Sequence, residues 1–266
     1  MQPIISELEV LGVAPFGPAN TEIRFFALRL SHPGWPNWQP GQFIMLRPHS
    51  FGLEIPWGRP LGICHMTTRH LICFVQVAGP GTRRISQLRQ HEKVLVWGPL
   101  GNGFEIDADK PTLLLAGGMG IAPFVGYVNR HPQPWNLAML FGHRQPISCY
   151  PVDSIKEHIP VDTLREHEPE DLDNLIYSMQ ERMRDCADQK GIALACGPLP
   201  FLRTAKRIAA EAGCRLQISL ENRMACGVGA CLGCAQKTTS AWPHNNGLPV
   251  QVCQHGPVFW SDQVDI

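Results

Sequence analysis

The feature that most constrains this chain is a C-terminal run of cysteines, Cys226-x4-Cys231-x2-Cys234, followed at a distance by Cys253. Gly227, Gly229 and Gly233 are interleaved with the first thiols, and the polar stretch Thr238 to Gly247 separates them from the last. So short and glycine-rich a segment, from Gln217 onward, lacks an apolar core of its own, and a bound group would supply the missing cohesion. The spacing, with its distant fourth cysteine, is the plant-type [2Fe–2S] signature. Two irons need four thiolates, and a loop that carries most of them has to curl around the cluster. Glycines permit positive φ and let backbone N–H groups approach the sulfurs, where they stabilise negative charge. A zinc ion held by the same thiolates is the competing reading. Zinc sites more often pair two C-x2-C knuckles, and a single such knuckle is present here. Unliganded cysteines are the third reading.

Composition narrows the remaining chemistry. The 266 residues are 44% hydrophobic and 17% charged, enough apolar material for a sizeable core divided over about two or three domains. Lys plus Arg equals Asp plus Glu at 23 each, so no net field draws the chain to nucleic acid or to an anionic membrane surface. The stretch Met1 to Val13 lacks the basic start and apolar core of a secretory leader. The longest apolar run, Pro111 to Val128, is broken by Gly117, Gly118, Gly120 and Pro123. A membrane span needs about 20 apolar residues, so this run reads as strand, glycine loop and helix. The expectation is a soluble cytoplasmic protein, in which ten cysteines are not a disulfide framework. Outside the C-terminal group, Cys64, Cys73, Cys149, Cys186, Cys196 and Cys214 are scattered.

Along the chain the hydrophobic period changes. Up to about Phe104, short β-branched and aromatic runs (Ile23 to Leu30, Gln42 to Leu46, Leu71 to Val77, Lys93 to Trp97) alternate with Pro-Gly turns, which predicts a small antiparallel β-barrel. After Pro111, the apolar runs Leu113 to Ala116, Asn136 to Phe141 and Ile192 to Ala195 alternate with helical patterns. The clearest helix carries Phe201, Leu202, Ala205, Ile208, Ala209 and Ala212 and closes at Gly213. Strands alternating with helices predict an α/β unit built on a parallel sheet. The expected domains are 1–105, 106–215 and 216–266.

Several turns carry phosphate-binding chemistry. Arg59-Pro60-Leu61-Gly62-Ile63 offers a guanidinium fork able to clamp a pyrophosphate. Gly79-Pro80-Gly81-Thr82 and Gly98-Pro99-Leu100-Gly101-Asn102-Gly103-Phe104 offer backbone N–H groups, although each reads equally well as a barrel turn. Gly117-Gly118-Met119-Gly120-Ile121-Ala122-Pro123 joins strand to helix, with Pro123 suited to the first helical turn. It does not match G-x-G-x-x-G, so the usual dinucleotide fingerprint is absent. Ala195-Cys196-Gly197-Pro198 ends another expected parallel strand, where ligands of such sheets gather.

Taken in order with Ser219-Leu220-Glu221 through Cys234 and with Val252-Cys253-Gln254-His255-Gly256-Pro257-Val258-Phe259, these motifs make the chain resemble the ferredoxin reductase superfamily. Within it, the resemblance is to the electron-transfer subunits of NAD-linked dihydroorotate dehydrogenases. The resemblance implies an FAD-binding barrel, a nicotinamide-nucleotide domain and a [2Fe–2S] domain. It further implies an FMN-containing catalytic partner subunit, a heterotetramer, and electrons that leave as hydride to NAD without a side-chain acid or base. By position, Arg59, Pro60, Leu61 and Gly62, with Gly81 and Thr82, would hold FAD. Gly117, Gly118 and Gly120 would face the nucleotide, with Cys196 and Gly197 near its reactive ring, and Cys226, Cys231, Cys234 and Cys253 would ligate iron.

Two positions depart from the family pattern. Gly62 stands where a serine hydroxyl usually reaches the flavin, and Leu164 to Asp171 replaces a Thr-Asp-Asp-Gly-like loop with acidic residues unwelcoming to a 2′-phosphate. Related subunits of sulfide dehydrogenase, sulfhydrogenase or transhydrogenase type are the nearest alternatives. A non-catalytic regulatory subunit that keeps the fold is the alternative from another class.

Overall fold

The computed structural model describes residues 4–18, 22, 24–243 and 248–266. Its first strand, β1 (Ile4–Phe16), is long enough to serve two halves of a sheet. Residues Ile4 to Glu9 pair with β7 (Lys93–Leu100), and Val10 to Phe16 pair with β2 (Phe25–Ser31). A register shift between Val10 and Gly12 turns the strand from one half to the other, the usual work of a bulge. β3 (Phe43–Pro48), β4 (Arg59–Gly62), β5 (His65–Met66) and β6 (His70–Gln76) complete a seven-stranded antiparallel sheet of order β4-β3-β7-β1-β2-β6-β5. Two adjacent residues then close it. Ile63 N–H donates to Gln42 O on the β3 side, while Cys64 N–H donates to Ile72 O on β6. A single stretch of chain thus belongs to both edges, and the expected barrel is formed with its edges covered.

The barrel strands are apolar on both faces. On β3, Ile44 and Leu46 point into the barrel core with Leu28, Leu71 and Val96, while Phe43 and Met45 pack outward against the rest of the chain. β6 divides in the same way, with Cys73 and Val75 inward and Phe74 outward. A short helix, α1 (Pro80–Ser86), leads from β6 to β7.

The second unit runs β8 (Thr112–Gly117), α2 (Ala122–Arg130), β9 (Leu137–His143), α3 (Asp153–Lys156), β10 (Val161–Arg165), α4 (Pro169–Asp188), β11 (Ile192–Cys196), α5 (Leu199–Ala212) and β12 (Arg215–Ser219). The sheet order β10-β9-β8-β11-β12 is parallel throughout, and its direction of winding reverses beside β8. Pro123 lies in the first turn of α2, and Gly213, at φ +66°, ends α5, as the sequence predicts. The acidic stretch expected as a loop is divided between two elements. Leu164 and Arg165 end β10, and Asp171 caps the start of α4 by accepting the N–H groups of His167 and Glu168 at 2.8 and 2.9 Å.

The C-terminal segment has little regular structure: β13 (Ala235–Gln236) pairs with β14 (Val250–Gln251), and α6 (Val252–His255) follows. β15 (Val258–Trp260) then joins the α/β sheet, antiparallel to β12. Ile23, where an expected strand began, lies outside the described residues, as do Met1 and the 244–247 part of the polar stretch. No helix among the described residues is long and apolar enough to cross a membrane.

Barrel and α/β unit meet at Gly126 of α2. A Cβ there would stand 2.5 Å from the Trp38 ring and 2.7 Å from Cys64 O. Alanine gains about 1 kcal/mol of helix propensity over glycine, whereas overpacking costs about 1–3 kcal/mol. The fixed carbonyl lets the clash win. Gly126→Ala should therefore lower stability by about 1–2 kcal/mol, read as a fall in the urea midpoint. An unchanged or raised midpoint would show that the seam is looser than these contacts imply.

Candidate functional site

The cysteine loop lies against the outside of the barrel. Gly227 and Gly229 have φ of +72° and +79°, and a Cβ on Gly227 would stand 2.5 Å from Met45 of β3. The Trp97 indole N–H donates to Cys226 O at 2.9 Å, which pins the loop to β7. Backbone donors converge on the sulfurs: Val228 and Cys231 N–H on Cys226 Sγ, both at 3.4 Å, Gly229 N–H on Cys253 Sγ at 3.2 Å, and Cys253 N–H on Cys234 Sγ at 3.5 Å. These are the contacts the interleaved glycines were expected to allow.

The thiols fall into two pairs. Cys226 and Cys231 neighbour each other on the solvent side, as do Cys234 and Cys253 beneath them. The Gly233 N–H, helped by donors around Cys226, draws Cys231 down to about 7, while burial and the neighbouring Cys234 push Cys253 up to about 12. Among the described residues no group of three or more His, Cys, Asp or Glu is gathered as for one metal ion. Paired thiols of this kind can serve two irons, each taking two thiolates.

A cavity of about 360 Å³ opens where barrel, α/β unit and cysteine segment meet. Pro60, Leu61 and Gly62 of β4 form one wall, Met119 and Cys196 of the α/β unit another, and Leu220 to Asn222 a third. Beyond it, Arg59 lies flat against Gly81 at the start of α1, where a Cβ would stand 2.3 Å from the guanidinium Nε. Arg59 Nη1 donates to Trp57 O and Gly58 O at 3.0 and 3.2 Å, which fixes the fork. The Thr82 hydroxyl accepts the Ala78 and Gly79 N–H groups, so it caps α1. An apolar slot with a fixed arginine beside the first turn of a helix fits a flavin nucleotide.

The Gly98 to Phe104 turn does different work from phosphate binding. Asn102 Nδ2 donates to Val258 O and His255 O at 2.9 and 3.2 Å, and its Oδ1 accepts Val258 N–H at 3.0 Å. Asn102 N–H donates to Gly256 O at 2.8 Å, and Gly101 (φ +68°) lets that carbonyl approach. The turn clasps the C-terminal segment to the barrel.

A second cavity, of about 510 Å³, lies at the carboxyl ends of the parallel strands, beside the reversal at β8. This is the ligand position of open α/β sheets. Gly117 and Gly118 line it, Gly118 at φ +52°. Gly120 and Gly197 act by being small: a Cβ on Gly120 would stand 1.9 Å from Cys196 O, and one on Gly197 3.1 Å from Gly117 Cα. Cys196 lines the first cavity, where burial pushes its thiol up to about 12, partly offset by the Ser219 hydroxyl. Gln76, Met119 and Glu221 line both cavities. Glu221 reaches solvent through the open cleft, yet protein walls most of it and raises its carboxyl pKa by desolvation. Sequence reasoning gave no role to Gln76 or Ser219, and it quoted Glu221 only as part of a motif. Gln76 and Ser219 are polar residues at strand ends and Glu221 follows a strand, positions that carry no distinctive signal in the sequence.

Comparison with known proteins places the chain in a family. Residues 221–265 match the family described as the iron-sulfur cluster binding domain of dihydroorotate dehydrogenase B. The "Dihydroorotate dehydrogenase B (NAD(+)), electron transfer subunit" of Caldanaerobacter subterraneus subsp. tengcongensis is 33% identical over 227 residues, covering 85% of this chain and 86% of its own length. The protein of the same name from Listeria monocytogenes serotype 4b is 32% identical over 246 residues, covering 85% and 87%. Among solved structures, an NADH-dependent reduced ferredoxin-NADP oxidoreductase superposes with a TM-score of 0.79 at 24% identity, over 97% of this chain and 89% of that one. A ferredoxin-NADP+ reductase from Plasmodium falciparum gives 0.63 at 11% identity, over 77% and 90%. At these identities the structural likeness concerns the fold, while the sequence relatives fix the family. The chain belongs to the family of electron transfer subunits of dihydroorotate dehydrogenase B (NAD(+)).

Proposed function

We propose that this chain relays electrons from an FMN-bearing catalytic subunit of the dihydroorotate dehydrogenase type, within a heterotetramer, to NAD by way of a [2Fe–2S] cluster and FAD. The observation that carries the reading is the adjacency of the three sites. Phe43 lines the flavin cavity, and Met45, on the same face of β3, packs against Gly227 between the thiols. On the other side, Gln76, Met119 and Glu221 are shared with the nucleotide cavity. A cluster carries single electrons and NAD takes a hydride, and FAD is the group that exchanges one for the other.

The chain's own work is placement. Cys226 with Cys231, and Cys234 with Cys253, would each hold one iron, with the loop N–H groups stabilising the sulfur charge. Arg59 and the first turn of α1, with Gly81 and Thr82, would hold the diphosphate, and Pro60, Leu61 and Gly62 would flank the ring. Gly117 and Gly118 would border the nicotinamide nucleotide, while Gly120 and Gly197 allow their loops to meet and Cys196 would stand near its reactive ring as a neutral thiol. In this reading residues 1–105 carry FAD, 106–215 the nucleotide and 216–266 the cluster. The buried thiols outside the cluster segment suit a reducing cytoplasm.

The visible spectrum of the anaerobically purified chain tests the relay. Flavin bands over iron–sulfur absorption, both bleached by NADH, are expected; a flavin reducible by dithionite alone would leave a non-catalytic subunit. Cys231→Ser should abolish the reduced-cluster EPR signal and leave the flavin bound, and an unchanged signal would remove Cys231 from the ligand set. No atom lies within 4 Å of a Cβ added at Gly62. Gly62→Ser should thus change stability by less than about 0.5 kcal/mol while speeding flavin reduction by NADH several-fold in stopped flow. An unaltered rate would show that the hydroxyl is not what this site lacks.

A further inference from the structure

One wall of the nucleotide cavity is an ion pair to which the relay assigns no task. Arg144 follows β9 and Glu166 follows β10, so the two side chains leave neighbouring parallel strands at their carboxyl ends. Arg144 Nε donates to Glu166 Oε2 at 3.1 Å. The partners are unequally placed: the Arg144 side chain is 78% exposed, that of Glu166 only 20%. Glu166 N–H also donates to His143 O at 2.8 Å, which carries the strand ladder one residue beyond β10 and fixes where the carboxylate stands. Among the described residues lining this cavity, Arg144 is the sole Lys or Arg, and Glu166 and Glu221 are its carboxylates.

An exposed pair of this kind adds little to stability, so its consequence lies in what it does to a ligand. NAD and NADP differ by one 2′-phosphate, and open α/β sheets discriminate between them by the charge near the adenosine ribose. An acidic residue there accepts from the 2′-hydroxyl, whereas a free arginine pairs with the phosphate. This cavity contains both residues, bound to each other.

Building on the reading of this cavity as the nicotinamide-nucleotide site, we propose that Glu166 is the residue that selects NAD over NADP. It does so twice over: its carboxylate repels the 2′-phosphate, and it occupies the guanidinium that would otherwise receive it. Arg144 is then a latent phosphate ligand, and the specificity of the chain rests on its being held.

Calorimetric titration of the FAD- and cluster-loaded chain with NAD+ and with NADP+ tests this, alongside flavin reduction by NADH and NADPH. The wild-type chain should bind NAD+ at least about ten-fold more tightly than NADP+. Glu166→Gln should narrow or reverse that ratio by about ten-fold or more, through tighter NADP+ binding, because a charge-assisted pair to phosphate is released. Adding Arg144→Gln to Glu166→Gln should remove the gain. An unchanged ratio in Glu166→Gln with NAD+ binding intact would overturn the assignment, as would a gain that survives in the double variant. If the wild-type chain binds neither nucleotide and NADH leaves its flavin oxidised, the reading of the cavity itself falls, and this inference with it.

Discussion

Asn102 makes three side-chain hydrogen bonds to the backbone between His255 and Val258, across more than 150 positions of sequence. The segment it holds has no core of its own and buries its apolar residues in a cluster shared with the α/β unit, so its position comes from its neighbours. Trp97 adds a bond to Cys226 O, Met45 fills the space beneath Gly227, and β15 enters the α/β sheet beside β12. The thiol loop is therefore built on the barrel and tied to the second sheet. Without those ties, the two cavities and the thiols would have no fixed relation to one another.

The same residue type is set to different uses by its surroundings. Cys231, open to solvent and facing backbone donors, is drawn down to about 7. Cys196, buried at the end of β11 beside the first cavity, is pushed up to about 12 and stays a neutral thiol. An anionic sulfur is suited to ligate a metal, and a neutral one to form a small apolar wall. The contrast follows from the number of N–H groups aimed at the sulfur and from access to water.

Much of this was legible in the sequence. The cysteine spacing, the short alternating strands and the glycine loop after β8 each depend on local order, and local order is what a sequence displays. The readings that fell short depend on contacts between distant segments. The Gly98 to Phe104 turn suggested phosphate chemistry, but its donors serve the C-terminal segment, and nothing within the motif marks that partner. That the Thr82 hydroxyl also caps α1 is something only the fold of Ala78 and Gly79 reveals. The α4 helix gives little signal in the sequence because its buried stripe, Leu175, Met179, Met183 and Cys186, is thin beside its charged face. Gln76 and Arg144 reach the cavities only once the sheets have closed around them.

The closure of the barrel at Ile63 and Cys64 has a bearing on the cavity beside it. The strand that ends in Gly62 continues without a break into the two residues that join the sheet edges. That wall is therefore held in place by the ladder of the curled sheet, whatever the cavity contains. For the flavin nucleotide proposed to bind there, such a wall is preorganised: little ordering entropy remains to be lost on binding, so more of the contact energy appears as affinity. The same wall cannot yield, and a nucleotide analogue bulkier at the ring edge would meet backbone where a softer site would meet a movable loop.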